Sequence, residues 1–415
     1  MSAPELISKL GSGEHVTFPE VSFVLRPFLP LLDALPDTAQ EAEWHAEGNV
    51  AVHSALVLQR AQELADGAGL MGFERATLLL AAALHDIGKA LTTREELDEH
   101  GVTRLRSRQH ARRGRDYLAY RLLDAQLSPH FLLTVLNLVA EHHSLHRAVD
   151  SHLNRGVWAL ARRVNLPLLV LLAKADARGR EVRSGEHSRA EDTADLLELS
   201  AHELNLWNTS DPYAEFRADI HALLPGASPE LLALATGRGI QDWEAGVIHT
   251  PHEAVARVQD AARHGFPRLT VLCGPSGSGK STHAHSIPDA EIISLDVLRG
   301  QLGRNTSDQS VNGQVIQAAR EQLRAALRHK KHVIWDATSL RRDQRRQVLG
   351  LGYDYGALTE IHTLWTPPGQ LGTRNQNRER TVHNAVIADQ LNMLEFPEVT
   401  EAHAVKFQTE LGLLT

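Results

Sequence analysis

The 415-residue sequence has only one cysteine, Cys273, and no long apolar run. A single cysteine excludes an intramolecular disulfide framework and is typical of a reducing compartment. No stretch reaches about eighteen apolar residues without a charge, so we predict no membrane-spanning helix and no membrane partner. The first residues, Met-Ser-Ala-Pro-Glu-Leu, lack a basic region followed by an apolar one, which predicts no secretory signal. These absences together predict a cytoplasmic protein.

Charge is divided unevenly along the chain. From Phe266 onward there are 17 basic and 15 acidic residues, whereas residues 1–265 carry a net charge of −10. The C-terminal part is therefore the better candidate for binding a polyanion, although a balance of +2 is weak support by itself. The length exceeds that of one typical core, which predicts two or three domains.

Two patterns of apolar residues organise the chain. In the first 200 residues, apolar side chains recur at helical spacing, as in Glu74–Leu84, which predicts an all-α N-terminal domain. From Pro267, short apolar runs alternate with long amphipathic stretches, which favours an α/β domain with a parallel sheet. We therefore predict a multidomain protein: an N-terminal domain at 1–200, a helical connector at 201–265 and a C-terminal α/β domain at 266–415.

A glycine-rich loop follows the predicted strand Arg268–Cys273. Its sequence, Gly-Pro-Ser-Gly-Ser-Gly-Lys-Ser-Thr, has P-loop spacing and lies between a strand and a helix. In such loops main-chain N–H groups surround phosphate oxygens, the lysine reaches the β- and γ-phosphates, and the serine, here Ser281, ligates Mg²⁺. We predict that ATP or another nucleoside triphosphate binds here with Mg²⁺. The predicted contacts are Gly274, Ser276, Gly277, Ser278, Gly279, Lys280, Ser281 and Thr282.

Charged residues follow two later predicted strands. Asp296 comes after the run Ala290–Leu295 and could accept a proton from an attacking hydroxyl, while Arg299 steadies phosphates. Asp336 follows the run His332–Trp335 and would either orient Mg²⁺-bound water or contact the acceptor. The alternative interpretations are a helix cap, a solvated arginine and a strand-end turn residue.

Arg374 and Arg378 lie at positions i and i+4, which places them on one face of a predicted helix. Such a pair suits a lid that closes over a transferring phosphate. A solvated basic helix is the alternative interpretation.

The order of these elements resembles the polynucleotide 5′-kinase family of phage and bacterial end-healing enzymes, over residues 268–400. In that family a P-loop is followed by Asp-x-x-Arg, a strand ending in Asp-Ala-Thr and an Arg-x-x-x-Arg lid. The resemblance implies a general base for a 5′-hydroxyl, two acceptor contacts and a lid. These are Asp296 as the base, Arg299 and Asp336 as acceptor contacts, and Arg374 with Arg378 as the lid. One departure is Ser339, where the family often has Asn.

The N-terminal half contains a second set of candidate residues. His85-Asp86 ends an apolar helix, where polar groups would be costly without a metal or other partners. Imidazole and carboxylate ligands suit divalent transition metals, and two bridged metals can activate water against a phosphate ester. Each histidine alone is more simply a capping, surface or core residue. The prediction depends on the order of the whole set: His53, His85, Asp86, His110, His142, His143 and Asp176.

That order resembles the HD-domain phosphohydrolase superfamily, over residues 44–180, including the HD module attached to some tRNA nucleotidyltransferases. The resemblance implies two divalent transition metals, such as Mn²⁺, that Asp86 bridges. By position, His53, His85, Asp86 and Asp176 would hold one metal, and His110, His142 and His143 the other. Lys89 would contact the substrate phosphate, and His45 and Glu47 would support the first ligand. Either both His142 and His143 are ligands, or one of them only donates a hydrogen bond.

Taken together, the two resemblances indicate the bacterial bifunctional HD–polynucleotide kinase family. That family implies a kinase acting on 5′-OH ends and an HD domain that hydrolyses 2′,3′-cyclic phosphate and 2′/3′-phosphate ends. RNA or DNA ends would be the partners, in RNA or DNA repair, with a polynucleotide ligase acting downstream. Two alternatives stay open: an HD nucleotidase fused to a nucleoside or small-metabolite kinase, and a nucleotide-binding regulatory protein.

Overall fold

The computed structural model describes residues 1–151, 154–181, 188–303, 309–376, 382–410 and 412–414. It divides into two compact units, Met1–Pro212 and Tyr213–Thr415. The division falls inside the predicted connector, so the helices after Pro212 belong to the second unit. The domain boundaries that the sequence predicts at residues 200 and 265 stay predictions.

Helices form most of the first unit. They are α1 (Ala3–Gly11), α2 (Phe18–Leu25), α3 (Val50–Gly67), α4 (Gly72–Leu84), α5 (Lys89–Thr92), α6 (His110–Arg121), α7 (Pro129–Glu141), α8 (Leu145–Val149), α9 (Arg155–Ala161), α10 (Leu166–Arg178) and α11 (Ser188–Glu203), with 3₁₀ helices at Pro30–Asp37 and Leu122–Ala125. Residues 75–84 of α4 are buried, and the helix packs against α1, α3, α7 and α10. The prediction of a helical N-terminal domain is confirmed.

A β-hairpin lies between α5 and α6. Strands β1 (Thr93–Leu97) and β2 (Thr103–Ser107) are antiparallel and form a two-stranded sheet. The Asp98 Oδ1 atom closes the turn, because it accepts the N–H groups of His100 at 2.9 Å and Val102 at 2.8 Å. Helical periodicity did not predict this hairpin, which lies between the His85-Asp86 pair and His110.

Asparagine caps begin two of the helices that carry candidate ligands. Asn49 Oδ1 accepts the N–H of Val52 at 3.0 Å, which starts α3 shortly before His53. Asn165 Oδ1 accepts the N–H of Leu168 at 3.0 Å at the start of α10. Side chains of this type satisfy N–H groups that have no partner inside the helix.

No single helix among the described ranges is long and apolar enough to cross a membrane. By length and composition, α9 and α10 would qualify only as a pair, and they are bent by 98° relative to each other.

The second unit contains a six-stranded sheet covered by helices. Its strands are β3 (Arg268–Cys273), β4 (Ala290–Ser294), β5 (His332–Asp336), β6 (Leu358–Leu364), β7 (Ala404–Thr409) and β8 (Gly412–Leu414). Its helices are α12 (Ala214–Leu223), α13 (Pro229–Glu244), α14 (Pro251–Ala256), α15 (Gln259–His264), α16 (Lys280–Ser286), α17 (Leu295–Leu302), α18 (Asn312–Arg328), α19 (Arg342–Asp354), α20 (Pro368–Gln376) and α21 (Asn384–Met393), with a 3₁₀ turn at Gln309–Val311.

The strand order is β4-β5-β3-β6-β7-β8. The first five strands in this order are parallel, and β8 is antiparallel to β7. The predicted α/β fold with a parallel sheet is therefore confirmed. Strand β3 has the predicted bounds, and β4 and β5 each differ from prediction by one residue. The order places the carboxyl ends of β3, β4 and β5 at one edge of the sheet, where ligands bind in such folds.

Helices α12 to α14 pack against the sheet of the second unit. Ile220, Leu234 and Ile248 form a buried cluster that also includes Leu358 at the start of β6. These helices therefore share a core with the P-loop sheet.

Candidate functional site

The Asp86 carboxylate lies between two pairs of predicted ligands. Its Oδ1 atom is 3.0 Å from Nε2 of His110 and 3.8 Å from Nε2 of His142. Its Oδ2 atom is 3.4 Å from Nε2 of His53 and 3.3 Å from Nε2 of His85. Asp86 is buried. Because each oxygen faces a different pair of imidazoles, the carboxylate has the arrangement that a bridge between two ions requires.

Asp176 and His143 complete the predicted ligand set. Helix α10 brings Asp176 Oδ1 to 3.1 Å from Nε2 of His53 and 3.8 Å from Nε2 of His85. The His143 ring centre lies 5.0 Å from that of His110 and 4.2 Å from that of His142. The structure thus brings all seven predicted residues together, as two adjoining groups.

Three of the histidines have a fixed tautomer. His85, His110 and His142 each place Nδ1 at hydrogen-bond distance from a main-chain carbonyl. The acceptors are the oxygens of Ala82, Ser107 and Val139, at 2.9, 2.8 and 2.8 Å. A carbonyl can only accept, so Nδ1 carries the proton and Nε2 of the neutral ring presents a lone pair. The three Nε2 lone pairs therefore lie on the side of Asp86. In metal sites, a hydrogen bond from the other ring nitrogen orients a histidine ligand in the same way.

The donor atoms around Asp86 suit a cation. The Nε2 atoms of His110 and His142 are 3.3 Å apart, and in the neutral rings neither carries a proton to share. Within the described ranges, the buried His85 Nε2 and Asp86 Oδ1 atoms have no hydrogen-bond partner. Lone pairs gathered around a buried carboxylate are costly when unsatisfied, and a divalent transition metal satisfies them. The residues therefore fit the metals that the sequence predicts.

The pKa values of His142 and Asp86 favour the protonation states that bind metals. Burial lowers the pKa of His142 well below its ordinary value, and the neighbouring His143 and His85 lower it further. Burial alone would raise the pKa of Asp86, but His85 and Lys89 hold it well below its usual range. Neutral imidazole and ionised carboxylate are the forms that bind metals. His53 differs, because burial alone would lower its pKa but the hydrogen bonds with Asp176 and Glu47 raise it.

Lys89 extends toward the same carboxylate. Its Nζ atom lies 2.7 Å from Asp86 Oδ2 and 2.6 Å from Gln40 Oε1, and the side chain is buried. Sequence patterns did not indicate Gln40, although it lies only a few positions before His45. The lysine therefore places a positive charge beside the candidate metal ligands.

Glu47 contacts His53 through the ring nitrogen that faces away from Asp86. Its Oε1 atom is 2.9 Å from His53 Nδ1 and 2.8 Å from His45 Nδ1, and its Oε2 accepts the N–H of Glu181 at 3.0 Å. Burial lowers the pKa of His45 to about 4. These contacts are those of a group that orients the first ligand, as the sequence predicts for His45 and Glu47.

Arg180 is a further charged residue at this site. It binds both oxygens of Asp176 through two guanidinium nitrogens, with Nε at 3.1 Å from Oδ1. The sequence analysis missed it, although its i+4 spacing from Asp176 is a signal that could have indicated it.

In the second unit, the P-loop joins β3 to α16. Gly277 and Gly279 have φ values of +87° and +92°, and a β-carbon on Gly274 would lie 2.7 Å from Ser278 Oγ. The loop therefore requires glycine at these turns. Lys280 begins α16, and its Nζ donates to the carbonyl of Pro275 at 2.8 Å.

Ser281 and Asp336 meet beside this loop. Ser281 Oγ donates to Asp336 Oδ2 at 3.0 Å. Asp336 ends β5, which neighbours β3 in the sheet. In P-loop enzymes a loop serine and a strand-end aspartate hold Mg²⁺ together, so this contact favours the magnesium alternative for Asp336 over the acceptor contact.

Asp296 and Arg299 form a pair on α17, with Arg299 Nη1 2.5 Å from Asp296 Oδ1. Asp296 lies in the first turn of α17, just after β4, and its side chain is exposed. Ser294 at the end of β4 pairs with Asp336. Both aspartates are therefore at the same edge of the sheet.

Arg374 on α20 lines a cavity of about 270 Å³ together with P-loop residues. The other lining residues are Gly277, Gly279, Lys280, Ser281 and Thr282. Arg374 Nη2 also lies 2.8 Å from Glu410 Oε1. Its predicted partner, Arg378, lies outside the described residues.

Two further contacts of the second unit were missed from the sequence. Buried Arg345 binds both oxygens of Glu401 at 2.7 and 2.8 Å and donates to the carbonyls of Ser339 and Leu340 at 3.0 Å. Ser339 has a φ of +44°, a conformation that asparagine adopts more readily than serine. Separately, the P-loop N–H of Ser276 donates to Gln390 Oε1 at 2.7 Å.

Comparison with known families identifies an HD domain at residues 50–181 and an AAA domain at residues 269–397. The predictions of an HD domain and of a kinase-like P-loop domain in one chain are therefore confirmed, and they support an enzyme.

Several curated proteins are similar to part of this chain. The Multifunctional CCA protein of Xanthomonas campestris pv. campestris (strain B100) is 32% identical over 186 residues, 42% of each chain. That of Stenotrophomonas maltophilia (strain K279a) is 35% identical over 160 residues, 38% of this chain and 33% of that protein. The match spans less than half the length of these relatives. A chain in the solved structure of the Pnkp1/Rnl/Hen1 RNA repair complex aligns with 31% of this chain and 44% of its own, with 22% identity and a TM-score of 0.29.

Proposed function

We propose that this chain is a bifunctional nucleic-acid end-healing enzyme. Strand breakage often leaves a 2′,3′-cyclic or terminal phosphate at one end and a 5′-hydroxyl at the other, whereas a ligase requires a 3′-hydroxyl and a 5′-phosphate. One chain with a phosphohydrolase site and a phosphotransferase site would correct both ends. The observation that carries the proposal is the Asp86 carboxylate, which faces two imidazole pairs in a chain that also pairs Ser281 with Asp336.

The HD site would hydrolyse 2′,3′-cyclic phosphate and 2′- or 3′-phosphate ends. The residues that would hold two ions such as Mn²⁺ are His53, His85, Asp86 and Asp176 for one, and His110, His142 and His143 for the other. When bound, these ions supply Lewis-acid activation of water against a phosphate ester. Lys89, 2.7 Å from Asp86, would bind the negative charge of the substrate phosphate. Glu47 keeps His53 oriented toward Asp86 and Asp176.

The P-loop site would phosphorylate 5′-hydroxyl ends. The hydroxyl oxygen attacks the γ-phosphorus in line, the bond from that phosphorus to the β,γ-bridging oxygen breaks, and Asp296 takes the hydroxyl proton. Lys280 and Arg374, both on the P-loop cavity, would stabilise the transferring charge. Ser281 and Asp336 would position Mg²⁺. Arg299 would contact the acceptor phosphate, and Arg378 would be the second arginine of the lid.

The test uses a short single-stranded RNA with a 5′-hydroxyl and a 2′,3′-cyclic phosphate, incubated with ATP, Mg²⁺ and Mn²⁺, with both product ends resolved. We expect gain of a 5′-phosphate and loss of the 3′ block. Asp296→Ala should abolish only the first change, and Asp86→Ala only the second. A DNA strand of the same sequence with a 5′-hydroxyl and a 3′-phosphate, compared with the RNA that ends in a 3′-phosphate, shows which polymer is preferred.

Two results would replace the proposal with one of the alternatives. If both RNA ends stay unchanged while mononucleotides gain or lose phosphate, the chain is a nucleotidase and small-metabolite kinase. If nucleotide binds without transfer to any hydroxyl, the chain is a nucleotide-binding regulator.

A further inference from the structure

The P-loop has a hydrogen-bond partner that lies far from it along the chain. The main-chain N–H of Ser276 donates to Oε1 of Gln390 at 2.7 Å, across 114 positions. Gln390 lies in the second half of α21, and its side chain is half-buried. Because a main-chain N–H can only donate, it is the oxygen of the Gln390 carboxamide that faces the loop.

The peptide group that Gln390 binds also binds the P-loop lysine. The carbonyl of Pro275 and the N–H of Ser276 belong to one peptide group, which is planar. That carbonyl accepts from Lys280 Nζ at 2.8 Å and from the N–H of Ser278 at 3.2 Å. Rotation of the peptide plane would therefore break the contacts of Gln390 and Lys280 together.

The contact with the Pro275 carbonyl is compatible with phosphate binding by Lys280. An ammonium group has three protons, so one lysine can bind a carbonyl oxygen and a phosphate oxygen together. Lys280 also lines the P-loop cavity with Arg374 of α20. The carbonyl therefore anchors Lys280 at the wall of this cavity, and the orientation of the peptide group sets where its ammonium lies.

Helix α21, which carries Gln390, is tied to the preceding helix, α20. Buried Asn375 in the last turn of α20 accepts the N–H of Val382 at 2.8 Å and donates to its carbonyl at 2.5 Å, two residues before α21 begins. Helix α20 itself lies against the P-loop, since a β-carbon on Gly277 would be 3.0 Å from the carbonyl oxygen of Leu371. The two helices therefore contact the loop at two points, through Leu371 and Gln390.

We infer that Gln390 is a positioning residue for the phosphotransferase site. Its amide oxygen holds the peptide group between Pro275 and Ser276 in one orientation, and the carbonyl of that group holds Lys280 toward the nucleotide phosphates. Without this acceptor the Ser276 N–H loses its partner, which favours rotation of the peptide group and moves the carbonyl away from Lys280. This role rests on the proposed function, which assigns Lys280 to phosphate binding, and deepens it by making α21 part of the nucleotide site.

Hydrogen exchange of the full-length protein, resolved to the Ser276 amide, tests the contact without any turnover. Gln390→Leu removes the acceptor at nearly constant size, so this amide should exchange roughly five- to tenfold faster than in the wild type. Gln390→Glu keeps an acceptor oxygen at the same place and should retain the wild-type protection. Wild-type protection in Gln390→Leu would overturn the assignment, and so would an equal loss in both variants, which would point to the packing of α21.

A double-mutant cycle tests whether Gln390 acts through Lys280. The readout is the Kd of the nonhydrolysable analogue AMP-PNP with Mg²⁺, measured by titration calorimetry. Gln390→Leu should raise this Kd roughly tenfold, the loss expected for one hydrogen bond to a charged group. In the Lys280→Ala background the same substitution should change Kd by less than about twofold, because the group that Gln390 positions is absent. Equal factors in the two backgrounds, or no change in either, would overturn the inference.

The matched control is Gln322→Leu, which makes the same substitution at an exposed position of α18. It should leave both the Ser276 protection and the Kd of AMP-PNP at their wild-type values. If 5′-hydroxyl ends are phosphorylated but the effects of Gln390→Leu and Lys280→Ala on Kd are additive, only the assignment of Gln390 fails. If the wild type binds AMP-PNP but phosphorylates no 5′-hydroxyl end, the proposed function fails, while the cycle still decides whether Gln390 positions Lys280.

Discussion

Gly88 lies so close to His110 that a β-carbon on Gly88 would come within 2.0 Å of the His110 carbonyl oxygen. The same β-carbon would be 2.6 Å from the main-chain nitrogen of Gly114. This contact holds the start of α6 against the segment that carries His85-Asp86. It therefore sets the distance between the two groups of candidate ligands.

Gly88→Ala should consequently impair the HD site and spare the kinase. The helix α6 must shift to admit the methyl group, which moves His110 away from Asp86 and costs about 1–3 kcal/mol of stability. We expect at least tenfold lower hydrolysis of the 3′ block, measured on the end-labelled RNA, with wild-type 5′ phosphorylation.

The control is Gly67→Ala, at the end of α3, where a β-carbon meets no atom within 4 Å. That variant should retain both activities. Equal hydrolysis by Gly88→Ala and the wild type would show that the close contact does not position His110.

The Ser281–Asp336 contact predicts a kinase-specific defect for Asp336→Asn. The amide would keep the size of the side chain but lose the charge that helps to place Mg²⁺, so kcat for 5′ phosphorylation should fall roughly 100-fold. Asp343→Asn, on the exposed start of α19, is the matched substitution and should have wild-type kcat. If Asp336→Asn instead raises only the KM for RNA, Asp336 contacts the acceptor and does not place Mg²⁺.

Removal of a residue that binds only one of the two candidate metals should lower the number of bound ions per chain by one. His110→Ala should reduce bound Mn²⁺ from two ions to one per chain, measured by elemental analysis after equilibrium dialysis, and Asp86→Ala should lower the affinity for both. His146→Ala removes an exposed histidine of α8 and should leave two ions. If His110→Ala still binds two ions per chain, His110 is not a metal ligand.

Local patterns predicted much of the fold and of the candidate site. The P-loop was predictable because its glycines, lysine and serine lie within nine consecutive residues. The HD residues were predictable because His85-Asp86 follows an apolar helix and the other candidates recur in a recognisable order. Strand β3 was predictable because every position after Arg268 is buried and apolar or small.

Contacts between residues far apart in sequence were not predictable. Glu47 and Glu181 meet across 134 positions, and Arg345 binds Glu401 across 56 positions. These contacts depend on tertiary packing, which no local periodicity encodes. Strand β7 was missed for another reason: the alternation of Val405 and Phe407 with Lys406 and Gln408 is typical of a half-buried strand but spans only a few residues.

A buried carboxylate in β6 predicts how the stability of the second unit depends on pH. Burial alone would raise the pKa of Glu360, but His362 at 3.4 Å and Lys406 at 2.7 Å lower it from 4.5 to about 2. A carboxyl whose folded pKa is depressed contributes stability that is complete above pH 4.5 and is lost as the pH falls toward 2. Glu360→Gln should therefore lower the free energy of unfolding by about 3 kcal/mol at pH 7 and by much less at pH 3.

Urea unfolding followed by proteolysis and mass spectrometry would report the midpoint of the β6 segment separately from that of the first unit. Glu291→Gln removes an exposed carboxylate that pairs with Lys331 and should cost less than about 1 kcal/mol at either pH. If Glu360→Gln shifts the midpoint equally at pH 7 and pH 3, the loss arises from packing, and the ion pair does not stabilise the sheet. A shift that is large only at pH 7 assigns the stabilisation to the charge that Lys406 and His362 hold on Glu360.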